Sequence, residues 1–375
     1  MNPLLFFVAL LGVFILLNMY ISKRLITHLD LSKRVKLGLK VFLFINLLGI
    51  VGYLLGRYYI DVPNWLYFLF SVPLGILFLL FCTAIFYDIS RVLLSVSPLS
   101  KKRRDFFKKS LDLSSLLVAS TLSAKSMYEA SVVELEEIEI KIKNLKQSYT
   151  LVQLSDIHIG GLINAQYIRK IVARVNALKP DLIVITGDLV DMDINKIQAP
   201  LQELKNLQSK YGTFFIVGNH EYFHGIEEII KKVKSLGIRV LENENVYVGE
   251  RERGFNLAGV YDLFGYRAGH HLPDLNKALY KIDKAPTILL AHQPKFINEI
   301  HGGVDLVLSG HTHGGQLYPF KFLVQLQQPY VSGLHQHTKE MQVYVNKGTG
   351  FWGPPMRLGA SSEITKIDLK PAISF

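Results

Sequence analysis

Long apolar runs at the start of the chain, and short strand-like runs alternating with helical stretches behind them, predict N-terminal transmembrane helices followed by one α/β domain. Composition agrees. Of 375 residues 49% are hydrophobic, and the mean hydropathy is +0.24, both high for a soluble protein. The excess is concentrated in the first third, where a membrane segment would put it.

Residues 3–21, 41–56 and 65–87 are nearly continuous Leu, Phe, Ile and Val, broken only by uncharged residues such as Asn18, Asn46 and Pro73. A membrane-crossing helix needs roughly 20 apolar residues, so the three runs read as crossings, the second slightly short. The basic residues follow the first run instead of preceding it, which argues against a cleaved signal peptide.

The formal net charge of +11 invites a nucleic-acid reading. Much of that charge, however, lies beside the apolar runs. Lys23, Arg24, Lys33, Arg34, Lys36 and Lys40 follow the first, and KKRRDFFKK at 101–109 follows the third. Such clusters set membrane orientation, so no nucleic-acid partner is expected. Cys82 is the only cysteine, which excludes an intrachain disulfide and a thiolate metal site.

A weaker segment at 110–124 is Ser-rich and carries Asp112. With the paired arginines before it, the stretch resembles a twin-arginine export signal. The basic cluster at 101–109 also reads as the cytoplasmic flank of the third helix, and the two readings are compatible. The membrane region is accordingly drawn at 1–124, a linker at 125–133 and the α/β domain at 134–375. The expected location is the cytoplasmic membrane, multi-pass, with the α/β domain outside the cytoplasm.

From Glu134 the texture alternates, with Ile138, Ile140 and Ile142 set between Glu and Lys as in a half-exposed strand. Then come LVQLSD, DLIVITGD, TFFIVGNH, NLAGVYD, TILLAHQ, VDLVLSGH and MQVYVNKG, short runs that read as buried strands. Most end in a potential metal ligand: Asp156 and His158, Asp188, Asn219 with His220, His292, and His311 with His313. Ligands in α/β sheets gather at the carboxyl ends of strands, so residues spread along the chain can converge. Glycines beside them (Gly187, Gly218, Gly310) permit the sharp turn out of the sheet.

Singly, each of these has a bland reading as a turn or a structural histidine. GHTHGG at 310–315 is hard to explain by packing, and the ordered series more so. Together these residue types suit phosphoester hydrolysis, in which two divalent cations about 3.5–4 Å apart supply hydroxide and neutralise phosphoryl charge. Mixed His, Asp and Asn ligation favours Mn, Fe or Zn over Ca.

The series DIH (156–158), GDLVD (187–191), GNHE (218–221), AHQP (291–294) and GHTH (310–313) resembles the calcineurin-like metallophosphoesterases. The resemblance implies two packed mixed β-sheets flanked by helices. It implies one ion held by Asp156, His158, Asp188 and His313, and a second by Asp188, Asn219, His292 and His311. It also makes His220 a catalytic, non-ligand histidine that stabilises or protonates the departing oxygen. The tail GTGFWGPPMRLGASSEIT (348–365) is similar to a membrane-tethered branch in which some relatives cleave UDP-2,3-diacylglucosamine in lipid A synthesis. In AGVYD (258–262) Tyr261 departs from that branch, leaving Asp262 as the surviving acidic residue.

The expected partners are a phosphoester or lipid-linked substrate and the lipid bilayer. Residues 263–283 and 316–340 are candidate lids, with Arg267, His270 and His271 available for phosphate contacts, although for each a solvated loop is the plainer reading. A catalytically silent membrane sensor or scaffold would be marked by a lost ligand or a replaced His220, and neither is seen.

Overall fold

The computed structural model describes residues 3–372, which divide into two compact units. The first comprises the chain up to Ser131 together with Gly353–Leu358. The second comprises Val132–Trp352 and the chain from Gly359 onward.

The first unit holds four long helices: α1 (Pro3–Tyr20), α2 (Lys33–Tyr58), α3 (Asn64–Val96) and α4 (Lys101–Ser131). A π-helical turn, Ile21–Ile26, extends α1. Among the described residues, Phe7–Ile26, Lys33–Arg57 and Asn64–Val96 are long and apolar enough to cross a membrane. Each outruns the corresponding apolar run. Helices α2 and α3 approach closely at small residues, where a Cβ on Gly49 would lie 2.6 Å from Pro73 and one on Gly52 2.7 Å from Phe70.

The segment 110–124 is not a separate element. It lies inside α4, whose buried face is small and polar: Asp112, Ser115, Ala119, Ser126 and Ala130. Asp112 is accommodated by the Tyr87 hydroxyl at 2.6 Å and the Asp30 backbone N–H at 2.8 Å. Arg104, one of the paired arginines, donates to the Ser97 and Leu99 carbonyls beyond the end of α3. The stretch expected as a linker, 125–133, is helical to Ser131 and enters a strand at Val133.

In the second unit two mixed sheets form around one core. The first has the order β1 (Val133–Ile142), β12 (Ser362–Pro371), β2 (Tyr149–Leu154), β3 (Leu182–Thr186), β4 (Thr213–Ile216) and β5 (Arg239–Val240). The second runs β10 (Gly333–Gln336), β11 (Gln342–Val345), β9 (Leu306–Ser309), β8 (Thr287–Leu290), β7 (Phe255–Gly259) and β6 (Glu244–Val248). Strands β2 to β5 are parallel neighbours, as are β7, β8, β9 and β11.

Leu151, Val184 and Phe214 of the first sheet meet Leu257, Leu290 and Leu308 of the second in one buried cluster. The outward face of the first sheet is covered by amphipathic helices. The helix Ala165–Ala177 buries Ile168, Ile171, Val172 and Val175, and Ile226–Ser235 buries Ile226, Ile229, Ile230 and Val233. Both sets follow the i, i+3, i+4, i+7 spacing of a single helical face. The two packed mixed sheets flanked by helices are the architecture the motif series implies.

Candidate metal centre

All seven candidate ligands leave the carboxyl ends of strands: Asp156 and His158 after β2, Asp188 after β3, Asn219 after β4, His292 after β8, and His311 and His313 after β9. Because β2, β3 and β4 are adjacent in one sheet and β8 and β9 in the other, their ends converge where the sheets meet.

The backbone at these positions is unusual. Asp156, His158, Asp188, His311 and His313 all adopt positive φ, between 49° and 69°. Non-glycine residues held in this region cost about 1–3 kcal/mol each and persist only where the surroundings over-determine them. Here the neighbouring glycines make room. A Cβ on Gly310 would lie 2.2 Å from Asp156 Oδ2, and one on Gly218 2.3 Å from Asp188 Oδ1.

The side chains form two clusters. Asp156, His158 and His313 present ligand atoms within 4.8 Å of one another, as do Asp188, His292 and His311. In the first, His158 Nε2 lies 3.0 Å from His313 Nε2, which is 3.5 Å from Asp156 Oδ1. In the second, His292 Nε2 lies 3.2 Å from Asn219 Oδ1, 3.3 Å from Asp188 Oδ2 and 3.3 Å from His311 Nδ1. Asp188 Oδ2 is also 3.9 Å from His158 Nε2, so one carboxylate oxygen faces both clusters.

The donor set fits cations. At this spacing one imidazole N–H can donate to the other nitrogen, and a cation can take the place of that proton. Around a cation with metal–nitrogen bonds of about 2.0–2.1 Å, ligands about 3 Å apart are ordinary neighbours. His292 Nδ1 donates to the Thr186 carbonyl at 2.7 Å, so Nε2 is the ring nitrogen turned toward the cluster.

Electrostatics follow from burial. Desolvation pushes the Asp156 carboxyl up to about 6, against the pull of His292. At Asp188 burial also opposes the anion, but His292, His220 and His158 outweigh it and hold the carboxyl well below its usual range. Burial, helped by the His292 charge, lowers His311 to about 3, leaving it neutral and able to ligate.

Beside the clusters, His220 Nδ1 bonds Asp191 Oδ1 at 2.8 Å, and its Nε2 lies 3.9 Å from Asp188 Oδ2. The ring therefore turns one nitrogen to a carboxylate and the other to the ligand clusters. His158, Asp191 and His220 form a third close group.

Two contributors were not assigned from sequence, although both end quoted motifs. Asp191 closes GDLVD and orients His220. Glu221 closes GNHE and is fully buried. Its Oε1 accepts the Leu189 and Val190 N–H groups at 2.8 and 3.1 Å, and its Oε2 accepts those of Gly218 and Asp188 at 2.6 and 3.1 Å. Burial and the Asp188 charge push this carboxyl up to about 7, while the Gly218 and Val190 donors pull it back. Four donors leave no acceptor for a carboxyl proton, so the anion is the form on which the loop is built.

Residues 149–315 match the calcineurin-like phosphoesterase family. An uncharacterized metallophosphoesterase of Helicobacter pylori is 37% identical over 97% of this chain and 98% of its own length. The chain belongs to the calcineurin-like phosphoesterases. A second uncharacterized metallophosphoesterase, from Campylobacter jejuni, is 35% identical over 98% of both chains. A transmembrane protein with metallophosphoesterase domain from Danio rerio is 35% identical over 83% of this chain and 75% of its own. With its three apolar helices, this phosphoesterase is a membrane-associated protein.

Several other sequence candidates lie outside the clusters. Asp262 is buried and accepts from Gln293 and from the Phe264 N–H, so it braces the loop after His292. Arg267 lies on the short helix Phe264–Ala268 and is exposed. His270 and His271 form a separate group with Glu227.

Proposed function

We propose that this protein hydrolyses a phosphoester or pyrophosphate bond in an envelope or lipid-linked substrate, using two divalent ions of Mn, Fe or Zn. The observation that carries the reading is Asp188, whose Oδ2 faces both ligand clusters beside the His220–Asp191 pair. Asp156, His158, Asp188 and His313 would hold one ion, and Asp188, Asn219, His292 and His311 the other. Bound there, the pair would supply a hydroxide nucleophile and neutralise phosphoryl charge. Asp191 holds the His220 ring so that Nε2–H can give its proton to the departing oxygen. Membrane attachment raises the effective concentration of substrates that reside in the bilayer.

The test is a panel of phosphomonoesters, phosphodiesters, soluble nucleotides and lipid-linked pyrophosphates, UDP-2,3-diacylglucosamine among them, given to full-length protein in bilayers with each metal in turn. Turnover favouring lipid-linked substrates is expected. A preference for soluble nucleotides removes the lipid assignment. No turnover from metal-loaded protein supports the silent-scaffold reading instead.

The basic segments 23–40 and 91–109 favour the cytoplasmic side, which with three crossings puts the N-terminus outside. If the paired arginines act as an export signal, the phosphoesterase domain lies outside the cytoplasm. A Glu228→Cys variant in a Cys82→Ser background is then expected to react with an impermeant thiol reagent in intact cells, and changing Arg103 and Arg104 to Lys should abolish the labelling. Protection until lysis would place the domain inside.

A further inference from the structure

His220 itself is buried, but two of its ring neighbours open to solvent. Phe223 stands edge-on to the imidazole with ring centroids 5.6 Å apart, and Trp352 does the same at 6.0 Å. They are 55% and 49% exposed, high values for large apolar rings in contact with a buried histidine.

Neither ring is a stray surface residue. Phe223 is propped edge-to-face by Phe264 at 4.8 Å. Trp352 is clamped through its backbone, whose N–H donates to Gln316 Oε1 at 3.0 Å and whose carbonyl accepts from Gln316 Nε2 at 2.8 Å. Gln316 directly follows HGG of the ligand loop, so the Trp352 backbone is tied to the segment that positions His311 and His313. Two residues further on the chain exposes Tyr318, then Phe320, Phe322 and Leu326. Tyr318 and Phe322 stand edge-on at 5.5 Å.

We propose that Phe223 and Trp352 form an apolar cradle for the leaving group, so that the enzyme selects esters whose departing alcohol carries a hydrocarbon chain. The inference rests on the phosphoesterase reading above. In that reaction a water oxygen bonds to phosphorus and releases a proton to solvent. The ester P–O bond breaks, and the departing oxygen takes the His220 proton, which solvent then restores. A group that takes the His220 proton therefore lies beside the two exposed rings that contact its imidazole. A hydrocarbon chain gains there by leaving water, whereas a hydrated sugar must surrender hydrogen bonds to rings that return none.

The experiment measures kcat/KM of the full-length, metal-loaded protein on alkyl phosphates and alkyl methyl phosphodiesters from ethyl to octyl, kept below their aggregation concentrations. Across this range the acidity of the departing alcohol is nearly constant, so chain length reports contact. In wild type the value should rise about twofold per methylene, less than full burial would give because the rings are half-exposed. In Phe223→Ala, Trp352→Ala and the double variant, the octyl-to-ethyl ratio should fall at least about tenfold, while Trp352→Phe keeps most of it. Metal content and melting temperature verify that each variant is folded. A flat series in active wild type, or an undiminished ratio in a folded double variant, overturns the cradle and leaves the phosphoesterase reading standing. No alcohol release from any ester overturns the cradle, and the phosphoesterase reading falls with it if the pyrophosphates of the panel above are also left intact.

Discussion

Asp188→Asn is expected to release most bound metal and abolish hydrolysis, whereas His220→Asn is expected to keep its metal and lose about 100-fold in turnover, the usual scale for removing a proton donor. The contrast follows from position. Asp188 Oδ2 stands 3.3 Å from His292 of one cluster and 3.9 Å from His158 of the other, so its charge serves both. The asparagine is nearly the same size and still offers an oxygen to the His220 backbone N–H, a contact of 2.8 Å in the parent. What it lacks is the anion between two groups of imidazoles. His220 instead faces the clusters from outside, with Asp191 behind it. Elemental analysis of both purified variants, beside single-substrate rates, separates the roles. Full metal occupancy in Asp188→Asn, or a near-normal rate in His220→Asn, would remove the assignment.

Glu221→Gln is expected to destabilise the phosphoesterase unit by roughly 3 kcal/mol, because each Glu221 oxygen accepts two backbone N–H groups and an amide can satisfy only one such pair. Whichever way the amide turns, its NH2 faces two donors in a site where Glu221 has no exposed surface. For a domain of this size the loss corresponds to about 6–12 °C in melting temperature. The consequence reaches the metals. Those four N–H groups belong to the turns that carry Asp188 and Asn219, so the variant should also bind metal more weakly. Calorimetry on metal-free and metal-loaded protein measures both effects. A variant that melts with wild type and loads metal normally would show that the buried carboxylate does not organise these turns.

Much of this candidate centre is legible in the sequence because its candidate ligands sit at strand ends. A short apolar run closed by DIH, GNH or GHTH carries both the strand signal and the ligand in a few adjacent residues. Five of the seven short runs end this way, and all seven, with the strand beginning near Glu134, correspond to β2, β3, β4, β7, β8, β9, β11 and β1. Strand β12 was hidden in the tail. It pairs with β1 in parallel at Val133↔Ser362 and with β2 on its other edge, and no local period encodes a pairing across more than 200 residues.

The sequence by itself determined that the chain carries apolar helices ahead of an α/β domain, and which residue types could bind cations, since hydrophobic period and donor chemistry are local properties. The tertiary structure decided the rest. Chain contacts, not the polarity of residues 110–124, make α4 one helix through Ser131, with Asp112 held by Tyr87 and Asp30. Packing of two sheets places Asp188 between the clusters, Asp191 behind His220 and Glu221 beneath the turns. The left-handed backbone at five candidate ligands is likewise a tertiary outcome, because such strain persists only where surrounding contacts outweigh its cost.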